Sequence, residues 1–401
     1  MAKILRIINR FNLGGPTYNV AYLTKYLSDE HETLLVGGMK CEEEGSSLHI
    51  LDSLGIKPII IPEMKREISP KDDYIAYQKI VEIIKDFQPD IVHTHASKAG
   101  FLGRLAAYNC GVENIYHTFH GHVFHSYFGT FKTLFYKNIE RYMAKKSTKI
   151  IAISEQQKKE LVECHKICSS EKVEIVPLGF DLDKFQEEKE LKRIDFRKKY
   201  NLKEDDVAIG IVGRLVPIKN HFFFLNSINE VLKRSDKTVK AFIIGDGEEK
   251  ENITNYCKSL GLKTTTQNDS QKADIIFTSW ITNIDWANAG LDVIALTSFN
   301  EGTPVSLIEA QASEKPVVSL EIGGIGDIVN NNISGFLSKI ENPKKFEENL
   351  LKLVEDKKLR IKMGLAGKEF VFERFHYNRL VKDIEELYQK NLKEKTRKVA
   401  H

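Results

Sequence analysis

Short apolar runs alternate with helix-period segments along almost the whole of the 401-residue chain. In the first half the runs fall at 4–8, 33–37, 58–61, 90–94, 114–119 and 149–153. In the second they fall at 173–176, 207–213, 240–244, 274–278, 292–297, 316–320 and 335–338. A run such as Val293-Ile294-Ala295-Leu296 is continuously apolar rather than alternating, as a strand covered on both faces must be. The rhythm predicts parallel sheets with right-handed crossovers, helices on both faces and ligands at the carboxyl ends of the strands. A chain of this length exceeds one typical core, so two doubly wound α/β domains of roughly 180 to 200 residues each are expected. The break falls near Pro177-Leu178-Gly179-Phe180-Asp181, before a charge-rich stretch at 184–195 whose composition suits a hinge. A final helical pattern, 378–391, carries Leu380, Val381, Ile384, Leu387 and Tyr388 at helical spacing and needs a groove, which the first domain can supply if the chain crosses back.

Composition narrows the classes. A net charge of +3 gives no global field to recruit nucleic acid, so no nucleic-acid partner is expected. No apolar run approaches the roughly 20 residues of a membrane span, and Met1-Ala2-Lys3 leads straight into Ile4-Leu5-Arg6-Ile7-Ile8, so a cytoplasmic protein is expected. The five cysteines are odd in number and are read as reduced. Cys164-His165-Lys166-Ile167-Cys168 resembles a metal clip but lacks a second ligand pair, and Asp181-Leu182-Asp183 reads as turn and capping chemistry. No bound metal or organic cofactor is expected.

The chemistry concentrates at Ser298-Phe299-Asn300-Glu301-Gly302-Thr303-Pro304-Val305-Ser306-Leu307-Ile308-Glu309-Ala310. Glu301 and Gly302 follow where a buried strand exits. Thr303 reads as the N-cap of the next helix and Pro304 as its first residue, where a missing amide costs nothing. The amides of Gly302, Thr303, Val305 and Ser306 would then point at an anion together with the positive dipole end. Glu309, about two turns in, can take two neighbouring ribose hydroxyls, while Glu301 sits beside whatever the phosphate carries. An ordinary βα unit with solvated acids has the same spacing.

Two further strand exits bear on that choice. Ile209-Gly210-Ile211-Val212-Gly213-Arg214-Leu215-Val216-Pro217-Ile218-Lys219 places one arginine fork and one lysine point charge past a strand end, which matches a diphosphate. Ala241-Phe242-Ile243-Ile244 ends in Gly245-Asp246-Gly247, where glycines allow either close ligand approach or a structural turn. Gly14-Gly15 follow the first strand in the same way.

Taken in order, Gly14-Gly15, Pro177-x-Gly179-x-Asp181, Gly213-Arg214-Leu215 with Lys219, Gly245-Asp246-Gly247, the Glu301-x7-Glu309 pair, Pro316-Val317-Val318 and Gly323-Gly324 resemble the retaining glycosyltransferases of family 4 over essentially the whole chain. The resemblance implies a GT-B fold: two Rossmann-like domains facing each other across a cleft. Residues 1–178, with a helix at about 377–401 packing back, would form the acceptor side, and 179–376 the nucleotide-sugar donor domain. It implies that Arg214 and Lys219 hold the donor diphosphate in place of a metal and that Glu309 takes the ribose. Glu301 with the Gly302 amide would take the sugar, and Gly15 would close from the opposite domain. Gly245, Gly247, Thr303 and Val305 complete the expected donor-binding set. It also places one histidine after the fifth run at the donor sugar. Tyr116-His117-Thr118-Phe119-His120-Gly121-His122-Val123-Phe124-His125 offers four, and His120 is chosen, with His95 second. Alternation sends His117 and His120 to opposite faces if the strand persists, which argues against zinc.

The expected reaction transfers a sugar from a nucleoside diphosphate, UDP before GDP, to a glycan or lipid-linked acceptor in surface polysaccharide synthesis. A nucleotide-sugar 2-epimerase of similar fold and a non-catalytic nucleotide-sugar-binding protein are the alternatives. Residues 127–146 interleave aromatics with lysines and arginine, which suits either an anionic membrane surface or a core-facing helix with a solvated basic face. Two departures from the family stand out. Glu314 takes a place where glycine is common, so a positive φ there would cost on the order of 1 kcal/mol and Glu314→Gly would raise the melting temperature. Asp327 stands where glutamate is usual and bears on local capping.

Overall fold

The structure, a computed structural model, describes residues 1–12, 15–27, 31–39, 46–65, 67–120, 130–266 and 270–399. Leu13-Gly14, Cys41, His122, His125 and the start of the 127–146 stretch lie outside them. The chain divides into two compact units, Met1–Phe180 with Phe375–His401, and Asp181–Arg374. Each is built on a seven-stranded, wholly parallel sheet with helical crossovers.

In the first unit the strands are β1 (Ala2–Arg10), β2 (His31–Gly38), β3 (Ile59–Ile60), β4 (Ile91–His95), β5 (Asn114–Thr118), β6 (Lys149–Ala152) and β7 (Val173–Ile175), in the order β3-β2-β1-β4-β5-β6-β7. The order reverses direction between β1 and β4, the position where open α/β sheets bind ligands. One face of the sheet is closed by Pro70–Phe87 and Ser97–Asn109, whose Ala76, Ile80, Ile84, Leu102 and Ala106 pack with Leu5, Ile7 and Val92. On the other face lies the C-terminal helix Tyr377–Val399, where Leu380, Val381, Ile384 and Tyr388 are buried with Ile4, Ile91, Tyr116 and Ile151. Burying each such side chain contributes about 1.5–3 kcal/mol, which answers the need for a groove that the heptad-like spacing signals. Arg379 ties this helix to the linker by donating to the Pro177 and Leu178 carbonyls at 2.8 and 2.7 Å.

In the second unit the strands are β8 (Val207–Val212), β9 (Val239–Ile244), β10 (Thr264–Thr265), β11 (Ile275–Ser279), β12 (Val293–Leu296), β13 (Val317–Leu320) and β14 (Gly335–Ser338), ordered β10-β11-β9-β8-β12-β13-β14. Only β10 has no counterpart among the apolar runs: it is a two-residue threonine edge with nothing to bury. Asp181 behaves as turn chemistry, its Oδ1 accepting from the Asp183 amide at 3.2 Å.

The helix carrying Glu309 spans Val305–Ala312, and its N-cap is Pro304 at φ −69°, ψ 103°, with no side-chain cap. This corrects the assignment of Thr303 as cap. Proline fixes φ but leaves ψ free, and here ψ is extended, so helical geometry begins one residue later. Glu309 is consequently the fifth helical residue, just over one turn in rather than two. At the far end Glu314 does take φ 59°. Its carboxylate, however, is held by Lys189 at 2.8 Å and Lys368 at 2.7 Å, a gain that glycine would forfeit.

Candidate active site

The expected donor-binding residues of the second unit gather at the carboxyl edge of its sheet. The β8 exit, 213–219, is clamped to the β12 exit: Phe299 donates its amide to the Ile218 carbonyl at 2.8 Å, and Thr297 Oγ1 donates to the Lys219 and Asn220 carbonyls at 3.2 and 3.0 Å. That clamp brings Lys219 Nζ to 2.6 Å from Glu301 Oε1, and Ser298 Oγ donates to the same oxygen at 2.5 Å. Arg214 lies on the same loop with an exposed guanidinium that has no ion-pair or hydrogen-bond partner among the described residues. A free fork thus sits on the same exit loop as a lysine already neutralised by a carboxylate.

Glycines set how closely these loops approach. A Cβ on Gly245 would lie 1.9 Å from the Gly213 carbonyl oxygen, and one on Gly247 would lie 2.4 Å from that of Leu215. Of the two roles open to Gly245 and Gly247, the structure displays loop-on-loop packing. Likewise a Cβ on Gly323 would meet the Glu301 carbonyl at 1.9 Å and one on Gly324 the Gly302 carbonyl at 2.1 Å, so the β13 exit fixes the backbone that carries Glu301. Around Gly302 itself there is open space. Beyond it the Val305 and Ser306 amides, at the first helical positions, have no intrahelical acceptor.

Glu309 keeps part of its surface open, yet the packing around its carboxyl pushes its pKa up to about 7; Lys184 opposes the shift and Asp285 adds to it. A carboxyl so placed is poised to gain hydrogen-bond donors from a ligand. Two side chains escaped the sequence reading. Ser298 lies inside the signature stretch, but nothing in its spacing shows a hydroxyl aimed at Glu301. His221, next to the Lys219 loop, is held down to about 4 by burial and by Lys219.

In the first unit Gly15 opens the helix Gly15–Tyr26, and a Cβ there would make only an ordinary 3.6 Å contact with Leu178. His120 lies past the end of β5, so strand alternation does not govern its side chain. His120 Nε2 is 3.0 Å from His95 Nδ1, and the two rings stack with centroids 5.3 Å apart. Burial holds His120 down to about 3 and lowers His95, with His93 and His120 adding to the latter effect, so both rings are neutral at pH 7. Behind them His93 Nδ1 faces Arg6 Nη1 at 3.2 Å and the Tyr388 hydroxyl at 2.6 Å. A guanidinium only donates, so Nδ1 is an acceptor and Nε2–H donates to Thr118 Oγ1 at 2.7 Å. The sequence picked out the histidines but not this chain of partners, which depends on β1, β4, β5 and the C-terminal helix meeting.

Comparison with known proteins decides the family. Residues 192–370 match the family model "Glycosyl transferases group 1", and residues 13–184 match "Glycosyltransferase Family 4". The chain is 30% identical to the UDP-Gal:alpha-D-GlcNAc-diphosphoundecaprenol alpha-1,3-galactosyltransferase of Escherichia coli over 87% of each chain. The chain belongs to glycosyltransferase family 4. It is also 28% identical to the capsular polysaccharide biosynthesis glycosyltransferase CapM of Staphylococcus aureus, over 84% of this chain and 85% of that one. Among solved structures, Anabaena HepE in complex with UDP superposes with a TM-score of 0.78 at 17% identity, over 97% of this chain and 100% of that one. That likeness, with the two parallel sheets, establishes the two-domain GT-B architecture.

This glycosyltransferase has, among its described residues, no helix long and apolar enough to cross a membrane and no cluster of three or more metal-ligating side chains. Its helix Thr130–Lys146 packs into the unit along one side and exposes apolar side chains on another. Met143 and Ala144 are buried and Arg104 Nη2 pairs with Glu140 at 2.7 Å inside the unit, while Leu134, Phe135 and Tyr142 are exposed. Lys146 Nζ sits over the Tyr108 and Tyr142 rings.

Proposed function

We propose that this enzyme transfers a sugar, with retention, from a uridine diphosphate donor to a lipid-linked glycan acceptor in polysaccharide assembly, without a bound metal. The observation that carries the reading is the Arg214, Lys219, Glu301 and Glu309 arrangement on one sheet edge: two cations for a diphosphate, one carboxylate beside them and one just over a turn into the following helix for hydroxyls. The named activity of the Escherichia coli relative and the UDP bound to the Anabaena neighbour favour uridine, with GDP as second choice. The relatives' lipid-diphosphate acceptor and capsular pathway favour the acceptor class.

In this reading the diphosphate replaces Glu301 at Lys219 and draws in the Arg214 fork. The amides of Gly302, Thr303, Val305 and Ser306 at the helix start support the same anion, and the freed Glu301 carboxylate turns to the sugar. Gly245 and Gly247 shape the loop beneath it, and Glu309 accepts from the ribose hydroxyls. His120 and Gly15 are the contribution of the first unit, at the sugar and the phosphate respectively. The sugar C1–phosphate oxygen bond breaks as the acceptor oxygen bonds to C1 on the same face, and the acceptor proton passes to the leaving phosphate oxygen. Leu134, Phe135 and Tyr142, with the lysines around them, rest on the anionic membrane that holds the acceptor.

The test is product analysis with UDP-galactose, UDP-glucose, UDP-N-acetylglucosamine and GDP-mannose, with and without a GlcNAc-diphospho-lipid acceptor, in the presence of chelator. An α-linked product formed only with acceptor supports the proposal. A donor epimerised without acceptor points to the epimerase, a β-linked product rejects retention, and loss of activity in chelator rejects metal independence. Co-sedimentation with anionic vesicles, reduced in Phe135→Ser/Tyr142→Ser, checks the membrane contact; equal recovery in the supernatant with and without vesicles ends it.

A further inference from the structure

The second unit holds a cavity of about 320 Å³ at the opposite edge of its sheet from the donor loops. Asp292 and Pro316, which immediately precede β12 and β13, lie in its wall, so it opens at the amino ends of the strands. Its volume falls at the lower end of the range for small-molecule sites.

Five cations line it: Lys189 and Arg193 from the helix Lys189–Lys199, Lys315 just past the helix Val305–Ala312, and Lys357 and Arg360 from the helix Lys357–Phe375. Three carboxylates accompany them, and two are already spoken for. Asp292 accepts from Arg193 at 2.8 Å, Arg197 at 3.2 Å and the Ala208 amide at 2.8 Å, while Glu314 is held by Lys189 and Lys368. The third, Glu190, is exposed at the rim.

Part of this positive charge has a structural purpose. Arg193 donates to the carbonyls of Ala289, Gly290 and Leu291, Lys315 Nζ to Ala289 at 3.0 Å, and Arg360 to Leu353 and Val354 at 2.5 and 2.8 Å; these close the ends of neighbouring helices. Carbonyls satisfy hydrogen bonds but do not neutralise charge. Lys315, Lys357 and Arg360 therefore line one cavity with no carboxylate partner among the described residues. Burial, reinforced by Arg193, pushes the Lys315 ammonium down to about 8 against the pull of Asp292, Glu190 and Glu314, and burial likewise lowers Arg360 against the pull of Asp292, so the carboxylates nearby do not make up for the water these two cations lose.

We infer that this cavity binds a small phosphorylated ligand, with Lys315 and Arg360 at its base and Lys357 at its rim. A guanidinium fork beside two ammonium groups suits the three oxygens of a phosphate monoester, and the volume leaves room for the group it carries. The site is separate from the donor diphosphate site: the helix Val305–Ala312 starts at one and ends at the other, about 12 Å apart along its axis.

Inorganic phosphate is the probe, titrated calorimetrically at constant ionic strength into the full chain and into Arg214→Ala/Lys219→Ala, which disables the donor site. Saturable binding in both proteins is expected, weakened at least tenfold in Lys315→Met and in Lys357→Glu. Lys357 is exposed, so its variant keeps the test decisive should Lys315→Met fail to fold. Phosphate binding that disappears in Arg214→Ala/Lys219→Ala, that is equally strong in Lys357→Glu, or that is absent from the wild type overturns the inference.

Discussion

Glu301→Gln should bind UDP more tightly and turn over far more slowly. Without donor, Glu301 occupies Lys219 at 2.6 Å, with side chains 11% and 23% exposed, so the pair is neither fully solvated nor sealed in the interior. At 4 Å and an effective dielectric of about 20, unit charges attract by about 4 kcal/mol gross, and net hydrogen bonds to charged groups are worth about 1.5–3 kcal/mol. An arriving diphosphate must displace the carboxylate and endure its repulsion, but it re-pairs Lys219 itself, so only a fraction of that figure opposes binding. Glutamine keeps a neutral acceptor for Ser298 and Lys219 while removing the competing charge. Roughly 1 kcal/mol of competition should vanish, giving a UDP Kd about fivefold lower by calorimetry. The same substitution removes the carboxylate proposed at the sugar, so kcat should fall on the order of a hundredfold or more. A Kd that rises or stays constant would show that Glu301 organises Lys219 for the phosphate rather than standing in for it.

Glu309 supplies a pH signature. Its folded-state pKa of about 7 lies above the ordinary 4.5, so the cost of ionising it is absent below about 4.5, grows between 4.5 and 7 and is complete above 7. Glu309→Gln should therefore gain melting temperature relative to wild type as pH rises from 5 to 8, whereas its UDP affinity should lose the increase that wild type shows over the same interval; parallel pH profiles in both assays would reject the ribose role. Glu314→Gly should leave the melting temperature unchanged or lower, because about 1 kcal/mol gained at φ 59° is offset by two lysine pairs worth about 0.2–1 kcal/mol each and by a more flexible unfolded chain; a clear rise would restore the simple cap argument. His95→Leu should lower kcat about tenfold with little change in donor KM, and His95→Asn, which can still bond His120 Nε2, should recover most of it. Nitrogen chemical shifts of the His120 ring separate the two links: a tautomer that shifts in His95→Leu without any loss of kcat would leave the pairing intact and remove His120 from the chemistry.

The fold was legible because buried parallel strands are written as apolar runs, unbroken in β8 and β12 and interrupted in β9 and β13 by only one buried polar residue each, Lys240 and Ser319. β10 was not, since two threonines at a sheet edge carry no hydrophobic signal. Within the site, Arg214, Lys219, Glu301 and Glu309 stood out as charged groups beside strand exits, where solvated loops and ligand sites share one pattern. What spacing could not carry was the partner of each charge. Lys219 meets Glu301 across a separation of 82 residues only because β8 and β12 lie side by side in register. The one-residue error at Pro304 lies in ψ, which the proline ring leaves free and which is extended here, so no residue-type rule could place the first helical turn. The histidines were visible as a cluster, but Arg6 and Tyr388, which fix the tautomer of His93, come from opposite ends of the chain.

The central claim is a metal-free uridine diphosphate site on the carboxyl edge of the second sheet, and its most direct test is the thermal shift of wild type and Arg214→Ala/Lys219→Ala with UDP, GDP and ADP, each with and without chelator. Stabilisation of the wild type by UDP above the other two nucleotides, equal in chelator and lost in the double variant, is the predicted result. An unchanged melting temperature with millimolar UDP, or a shift that chelator abolishes or the double variant retains, contradicts it.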